Sequence, residues 1–274
     1  MALNRAKVLE TADKLVRQGK LDEAIRHYVV LSDDNPRDVN TINRIGDLYV
    51  RMHKNKEGIR QFMRIADLYA SDGFHLKAIA MYKKITKLEP NHVEANERLA
   101  EMYGKQGLVT EARSLFMAMA EQCLKGGQKD KALSIYEKVL GLEPGNVKVR
   151  LLIAEIHSRD GEPARAVEGF LAVTAELRKR NMGEEALKVL QKASGLQPAN
   201  PEVLGQMAEV LQSAGKNPQE ALGLLESLHR GDPDNLRNLQ LLGEAYLGAG
   251  KGREFHRLLE TAAAGEARIV LMET

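Results

Sequence analysis

Any metal or nucleophilic site in this chain must be built from seven histidines and a single cysteine. The histidines are His27, His53, His75, His92, His157, His229 and His256. No two of them stand four apart on one helical turn. None falls in an HExxH pattern, and none is spaced with Cys123 as a zinc ligand set requires. No G-x-S-x-G elbow raises a serine for attack. The run Gly248-Ala249-Gly250-Lys251-Gly252 is glycine-rich. It lacks the preceding strand and the Ser or Thr of a phosphate-binding loop, so it reads as a turn between helices. Carboxylates are numerous but scattered over solvent-facing positions. The expectation is a protein that is not an enzyme and needs no cofactor or metal. Cys123 is expected in a core slot as a structural thiol.

The charge balance narrows the partners. Lys plus Arg number 40 and Asp plus Glu 38, a net charge of +2. A nucleic-acid binder ordinarily shows a basic excess or stripe, and none stands out here. The longest basic run, Arg178-Lys179-Arg180, falls where a helix should end, and cations there favour the helix dipole. No apolar stretch approaches the roughly 18 residues needed to cross a bilayer. The N-terminus runs from Met1 straight into a charged amphipathic pattern, without the apolar segment of a signal peptide. One cysteine permits no internal disulfide and fits a reducing compartment. These features together predict a cytoplasmic chain without membrane insertion and without nucleic acid.

The elements that would position any binding residue come from a repeat. Pro36, Pro90, Pro144 and Pro198 are each 54 residues apart. The segments before them align without gaps. One slot holds Ala24, Ala78, Ala132 and Ala186; four residues on stand Tyr28, Tyr82, Tyr136 and Leu190. Three further come Leu31, Ile85, Val139 and Ala193, and five before the alanines come Gly19, Gly73, Gly127 and Asn181. Residues three and four apart share a helix face. The alanine lets a neighbouring helix approach, and the Tyr or Leu beside it fills the remaining space. Gly or Asn accepts the left-handed backbone that ends the preceding helix, and Pro stops the helix that follows.

A second block recurs between these segments. Its first helix carries Ile45-Gly46-Asp47, Leu99-Ala100-Glu101, Ile153-Ala154-Glu155 and Met207-Ala208-Glu209. A longer helix then carries Phe62, Phe116 and Phe170. Each repeat therefore has three helices. After Pro198 the next equivalent is Pro233, so the repeat tightens to helix pairs. The pattern predicts about fifteen helices in one repeat domain over 1–265, with a tail at 266–274.

These residues resemble the tetratricopeptide family, whose helix pair carries small and apolar residues at fixed positions and a Pro near its end. Residues 5–38 match through Ala12, Gly19, Ala24, Tyr28, Leu31 and Pro36. Residues 59–92 match through Phe62, Ala66, Tyr69, Gly73, Ala78, Tyr82, Ile85 and Pro90, and residues 113–146 through Phe116, Ala120, Gly127, Ala132, Tyr136 and Pro144. The resemblance implies an all-α, right-handed α-solenoid of antiparallel helices whose stacked repeats bury a continuous core. Three helices per repeat leave two arrangements open. Simple antiparallel stacking turns alternate repeats over; triangular three-helix bundles keep them all facing one way.

The resemblance also implies function: a non-enzymatic scaffold or adaptor that holds a protein or peptide partner in a groove. In the family, the position after the small residue of the first helix points into that groove. Here it holds Asp47, Glu101, Glu155 and Glu209, with Glu244 equivalent in the last helix pair. Such a row favours a partner with a basic segment. If repeats alternate, Asp47 and Glu155 face one side, Glu101 and Glu209 the other. The clamp for a terminal carboxylate used by the family's chaperone-tail binders has no counterpart here. Met63, Met102, Met117 and Met119 read as core residues at helical spacing, or as an adaptable contact surface. The sequence bears on two other functions. Helical repeats can read RNA, but the acidic row opposes phosphate. The apolar segment Ala267–Met272 leaves three readings open: docking on the open end of the solenoid, self-assembly into a homo-oligomer through the C-terminal tail, or continuation into a further domain.

Overall fold

A computed structural model of the chain describes residues 4–261 apart from 214 and 216. The tail expected at 266–274 lies outside the described residues. Among the described residues there are fifteen α-helices and no strand. They divide into two compact blocks between Pro144 and Gly145. The first holds α1 (Arg5–Arg17), α2 (Leu21–Asp34), α3 (Val39–Arg51), α4 (Asn55–Ser71), α5 (His75–Leu88), α6 (Val93–Lys105), α7 (Val109–Lys125) and α8 (Lys129–Leu142). The second holds α9 (Val147–Arg159), α10 (Pro163–Lys179), α11 (Gly183–Leu196), α12 (Pro201–Ser213), α13 (Pro218–Gly231), α14 (Leu236–Gly248) and α15 (Gly252–Thr261).

The punctuation of the sequence sets these boundaries. Asp38, His92, Asn146, Asn200 and Asn235 each stand two residues after a repeat proline. Each side chain accepts a backbone N–H from the first turn of the helix that follows. That satisfies one of the donors a helix start leaves orphaned. At the other end of the first helix, the Lys20 N–H donates to the Leu15 carbonyl and the Gly19 N–H to that of Val16. This closure needs a positive φ at Gly19, which is +76°.

The repeated apolar slots form the core. Ala24, Ala78, Ala132 and Ala186 are fully buried, and the Tyr28, Tyr82, Tyr136 and Leu190 side chains lie buried one turn on. Phe62, Phe116 and Phe170 are buried as well; burying each stabilises by about 2–3 kcal/mol. Ala12, Ala66 and Ala120 occupy one slot that the next repeat fills with Thr174. The buried Thr174 hydroxyl donates to the Phe170 carbonyl at 2.9 Å, so its burial leaves no unsatisfied polar group.

Within each block a helix packs chiefly on its neighbours in sequence, and longer side chains reach the helix after next. Arg44 on α3 pairs with Asp13 on α1, and Arg64 on α4 donates to Ser32 on α2. Lys84 on α5 pairs with Asp47 on α3, and Lys138 on α8 with Glu101 on α6. In the second block Lys192 on α11 pairs with Glu155 on α9, and Arg178 on α10 with Glu209 on α12. Triangular bundles would confine such links to helices of one triplet. The α1–α3, α2–α4 and α10–α12 links cross triplet boundaries, so the helices stack antiparallel in two layers. In the first block α1, α3, α5 and α7 form one layer; α2, α4, α6 and α8 form the other. The chain is an all-α solenoid.

Candidate protein-binding faces

The expected row of carboxylates resolves into ion-paired posts on both layers. In the first block Asp47 belongs to the α1–α7 layer and Glu101 to the α2–α8 layer. In the second, Glu155 on α9 lies in one layer, and Glu209 on α12 and Glu244 on α14 lie in the other. The structure therefore does not gather the first block's pair on one face, nor the second block's three.

Four of the five carboxylates have a built-in counter-ion. Lys84 Nζ lies 2.6 Å from Asp47 and 3.0 Å from the Asn43 amide oxygen. It also stands 3.8 Å above the centre of the Phe62 ring, where the ring quadrupole attracts a cation. One repeat on, Lys138 lies 2.6 Å from Glu97 and 3.0 Å from Glu101, with Phe116 below it. Burial opposes the charge on Lys138, but its hydrogen bonds to Glu97 and Glu101 prevail and hold its pKa above the ordinary lysine value. In the next repeat Lys192 pairs with Glu155 at 2.7 Å. Lys84, Lys138 and Lys192 are themselves 54 residues apart. This spacing is a second periodic signal in the sequence, and it marks the counter-ions of the carboxylates. Six residues before Pro233, where the series would place a fourth lysine, stands Ser227, and Glu209 is held instead by Arg178 at 2.9 Å and by Arg237. Glu244 accepts from the Gln240 side chain at 3.1 Å.

A second polar series lies beside the first. The Tyr82 hydroxyl donates to Asp67 at 2.8 Å, and Tyr28 donates to Asp13. Burial is the main cause that raises both phenol pKa values, and the carboxylate beside each adds to it. Tyr136 is raised by burial and then by the charge of Glu121. In the fourth repeat the tyrosine slot is Leu190 and the acid slot is Ala175. Phenol and acid disappear together, which is what a mutually dependent pair requires.

Open grooves run between helices of one layer. The groove between α1 and α3, about 350 Å³, contains Asp47 with Arg17, Arg44 and Arg51. Cations thus share the groove with the carboxylate. A groove of about 850 Å³ runs along α4 to the start of α6, with Met63 in its lining. Met102 and Met119 are buried, so of the four methionines these two are core. Cys123 is half-buried and lines a small groove with Met119 and Lys131, in place of the expected core slot. The slot is only partly covered in this part of the chain: Tyr69, 54 residues before, is half-buried too, whereas Leu177, 54 residues after, is buried. No helix among the described residues is long and apolar enough to cross a membrane.

Family models described as tetratricopeptide repeat match residues 63–124, 124–182 and 214–268. Among curated proteins, the chain is 22% identical to the DnaJ homolog subfamily C member 3 of Gallus gallus over 191 residues. That match covers 64% of this chain and 36% of the relative. It is 26% identical to the BBSome complex member BBS4 homolog of Drosophila melanogaster over 207 residues, covering 68% of this chain and 42% of the relative. The chain thus spans less than half the length of either relative. Among solved structures, the complex of Naa15/Naa10 bound to HypK-THB aligns with a TM-score of 0.49 and 16% identity. That alignment covers 98% of this chain and 44% of the other.

Proposed function

The chain belongs to the tetratricopeptide repeat family, and from that premise we propose that it is a non-catalytic scaffold that holds a partner protein along its interhelical grooves. One observation carries the reading. The repeats agree in their buried slots and differ at exposed slots beside them, one of which, Arg60, lines a groove. Phe62, Phe116 and Phe170 are one residue type in one slot, whereas Arg60, Ser114 and Glu168, two residues before them, are three. Packing dictates the first set and leaves the second free to specify a ligand. A rigid core that presents individual side chains from each repeat suits protein recognition.

The ion-paired posts refine the kind of partner. Asp47, Glu101, Glu155, Glu209 and Glu244 were expected to attract a basic segment. Four of them already face a lysine or arginine of this chain. The partner then meets alternating charges, which set register and orientation more than overall affinity. The site is cytoplasmic in this reading and uses no cofactor.

The test is a pull-down from native lysate, read by mass spectrometry. A Lys in place of these acids would stand against Lys84, Lys138 or Lys192 and disturb the fold. The informative variant is therefore Asp47→Asn with Glu101→Gln, Glu155→Gln and Glu209→Gln, at unchanged helicity. A specific protein captured by the wild type and depleted at least about tenfold on the variant supports the reading. Recovery of RNA with no protein partner overturns it.

A further inference from the structure

We infer that the groove between α4 and the start of α6 is a docking site for a peptide segment of a partner protein. The segment would carry an apolar residue flanked by an acidic and a basic one. The inference rests on the scaffold reading and adds a location and a ligand chemistry to it.

The wall formed by α4 carries Lys56, Arg60 and Arg64, one helical turn apart along one face. The slots of Lys56 hold Thr110 and Ala164 in the next two repeats, those of Arg60 hold Ser114 and Glu168, and those of Arg64 hold Ala118 and Ala172. The cation stripe is thus peculiar to this repeat and is not demanded by the fold. Arg64 is fixed by its hydrogen bonds to the Ser32 hydroxyl at 3.2 Å and the Pro36 carbonyl at 2.7 Å. Lys56 and Arg60 are exposed, and neither side chain has an ion-pair or hydrogen-bond partner among the described residues. They contrast with Lys84, Lys138 and Lys192, each of which is committed to a carboxylate.

The other wall carries Glu89 and Glu94, also exposed and without a recorded side-chain partner among the described residues. Between the walls Met63 and Leu68 are half-buried and Ile59 is buried, giving an apolar floor with one adaptable thioether. Asp67 is engaged by Tyr82 and adds no free charge. A volume of about 850 Å³ lies in the range of sites that enclose a compact ligand. Charge complementarity selects the occupant. Phosphate would be attracted by Lys56 and Arg60 and repelled by Glu89 and Glu94. A peptide can meet both walls: its acidic side chain turned to α4, its basic one to α6, and its apolar one on Met63.

The experiment is selection of a displayed random-peptide library on the immobilised full chain, followed by anisotropy with the selected peptides. Three variants are compared: Lys56→Glu/Arg60→Glu, Glu89→Lys/Glu94→Lys, and all four together. All four positions are exposed, and helicity is checked by circular dichroism. The expected result is a consensus of acidic, apolar and basic residues. Binding should weaken at least about tenfold on either pair and return, in the quadruple variant, only for the charge-mirrored peptide. Selected peptides that bind all variants equally overturn this groove and leave the scaffold reading standing elsewhere on the molecule. Failure to enrich any peptide, with single-stranded RNA bound through Lys56 and Arg60, overturns both.

Discussion

The Tyr82 hydroxyl, on a ring that is 1% exposed, donates to the solvent-exposed carboxylate of Asp67 at 2.8 Å. Tyr246, in a different slot, donates likewise to Glu226 at 3.0 Å, and its pKa is pushed up to about 12, first by burial and then by Glu226. An unfolded tyrosine titrates near ~10. The folded state therefore holds these protons more tightly, and the stability they supply is complete below pH ~10. It is lost as pH rises through the folded pKa, because the unfolded chain ionises first. Urea unfolding between about pH 9 and 12 should show falling stability, with a shallower fall in Tyr82→Phe and Tyr246→Phe. At neutral pH Tyr82→Phe should cost about 1 kcal/mol, since Asp67 regains water. A fall of unchanged steepness in both variants would assign the base sensitivity to other groups.

Removing a lysine from a post should loosen two helices at once. Lys84 joins α5 to α3 through Asp47 and sits over the α4 ring of Phe62. The ion pair is half-exposed and contributes roughly 0.5–1 kcal/mol, and the ring contact about as much again. Lys84→Met should lower stability by about 1 kcal/mol and the loss should shrink in high salt. A double-mutant cycle with Asp47→Asn measures the coupling; a value of zero would show that the pair is decorative.

The close approach of α3 and α4 depends on missing side chains. A Cβ on Gly46 would lie 2.5 Å from Phe62 Cε1, and one on Gly58 would lie 2.7 Å from Val50 Cγ2. Ala is a better helix former than Gly by about 1 kcal/mol, while overpacking a buried ring costs about 1–3 kcal/mol. Gly46→Ala should therefore destabilise by about 1 kcal/mol. Adding Phe62→Leu should relieve part of that cost, giving a non-additive pair in chemical denaturation.

One turn is ended by a residue ill-suited to its backbone. His53 has φ +58° where the later repeats place Gly107 and Gly161 at +72° and +73°. A side chain in the left-handed region costs roughly 1–2 kcal/mol, against the extra unfolded-state entropy of glycine. His53→Gly should stabilise by about 0.5–1 kcal/mol, read as a raised denaturation midpoint with an unchanged slope. Gly107→Ala should do the reverse.

Helix count and boundaries were legible because they are written locally, in Gly19, Pro36, Ala24 and their copies. The stacking mode was not, because each helix's apolar stripe looks the same in either arrangement. Only links such as Arg44–Asp13 and Arg178–Glu209 distinguish the two. The carboxylate positions were found from the repeat, but their state was missed. Asp47 and Lys84 are 37 positions apart, a spacing that shares no helix, so no helical-wheel argument pairs them. Cys123 differs from its expected core slot for a related reason: periodicity gives the face of a helix and says nothing of how fully neighbouring side chains cover it, which ranges from half-buried Tyr69 to buried Leu177 along one slot.

An odd number of helices per repeat has a consequence for valency. The chain enters each repeat at one edge and leaves at the opposite edge, so the next repeat is presented upside down. Within the first block, the Asp47–Lys84 and Glu101–Lys138 posts are near-identical motifs displayed back to back. One rigid ligand cannot grip both, so they cannot reinforce each other through a short tether. On the scaffold reading proposed above, two ligands would each take one, and the chain would sit between partners as a spacer with a handle on either side, where a strictly paired repeat would aim every copy of a motif at a single guest.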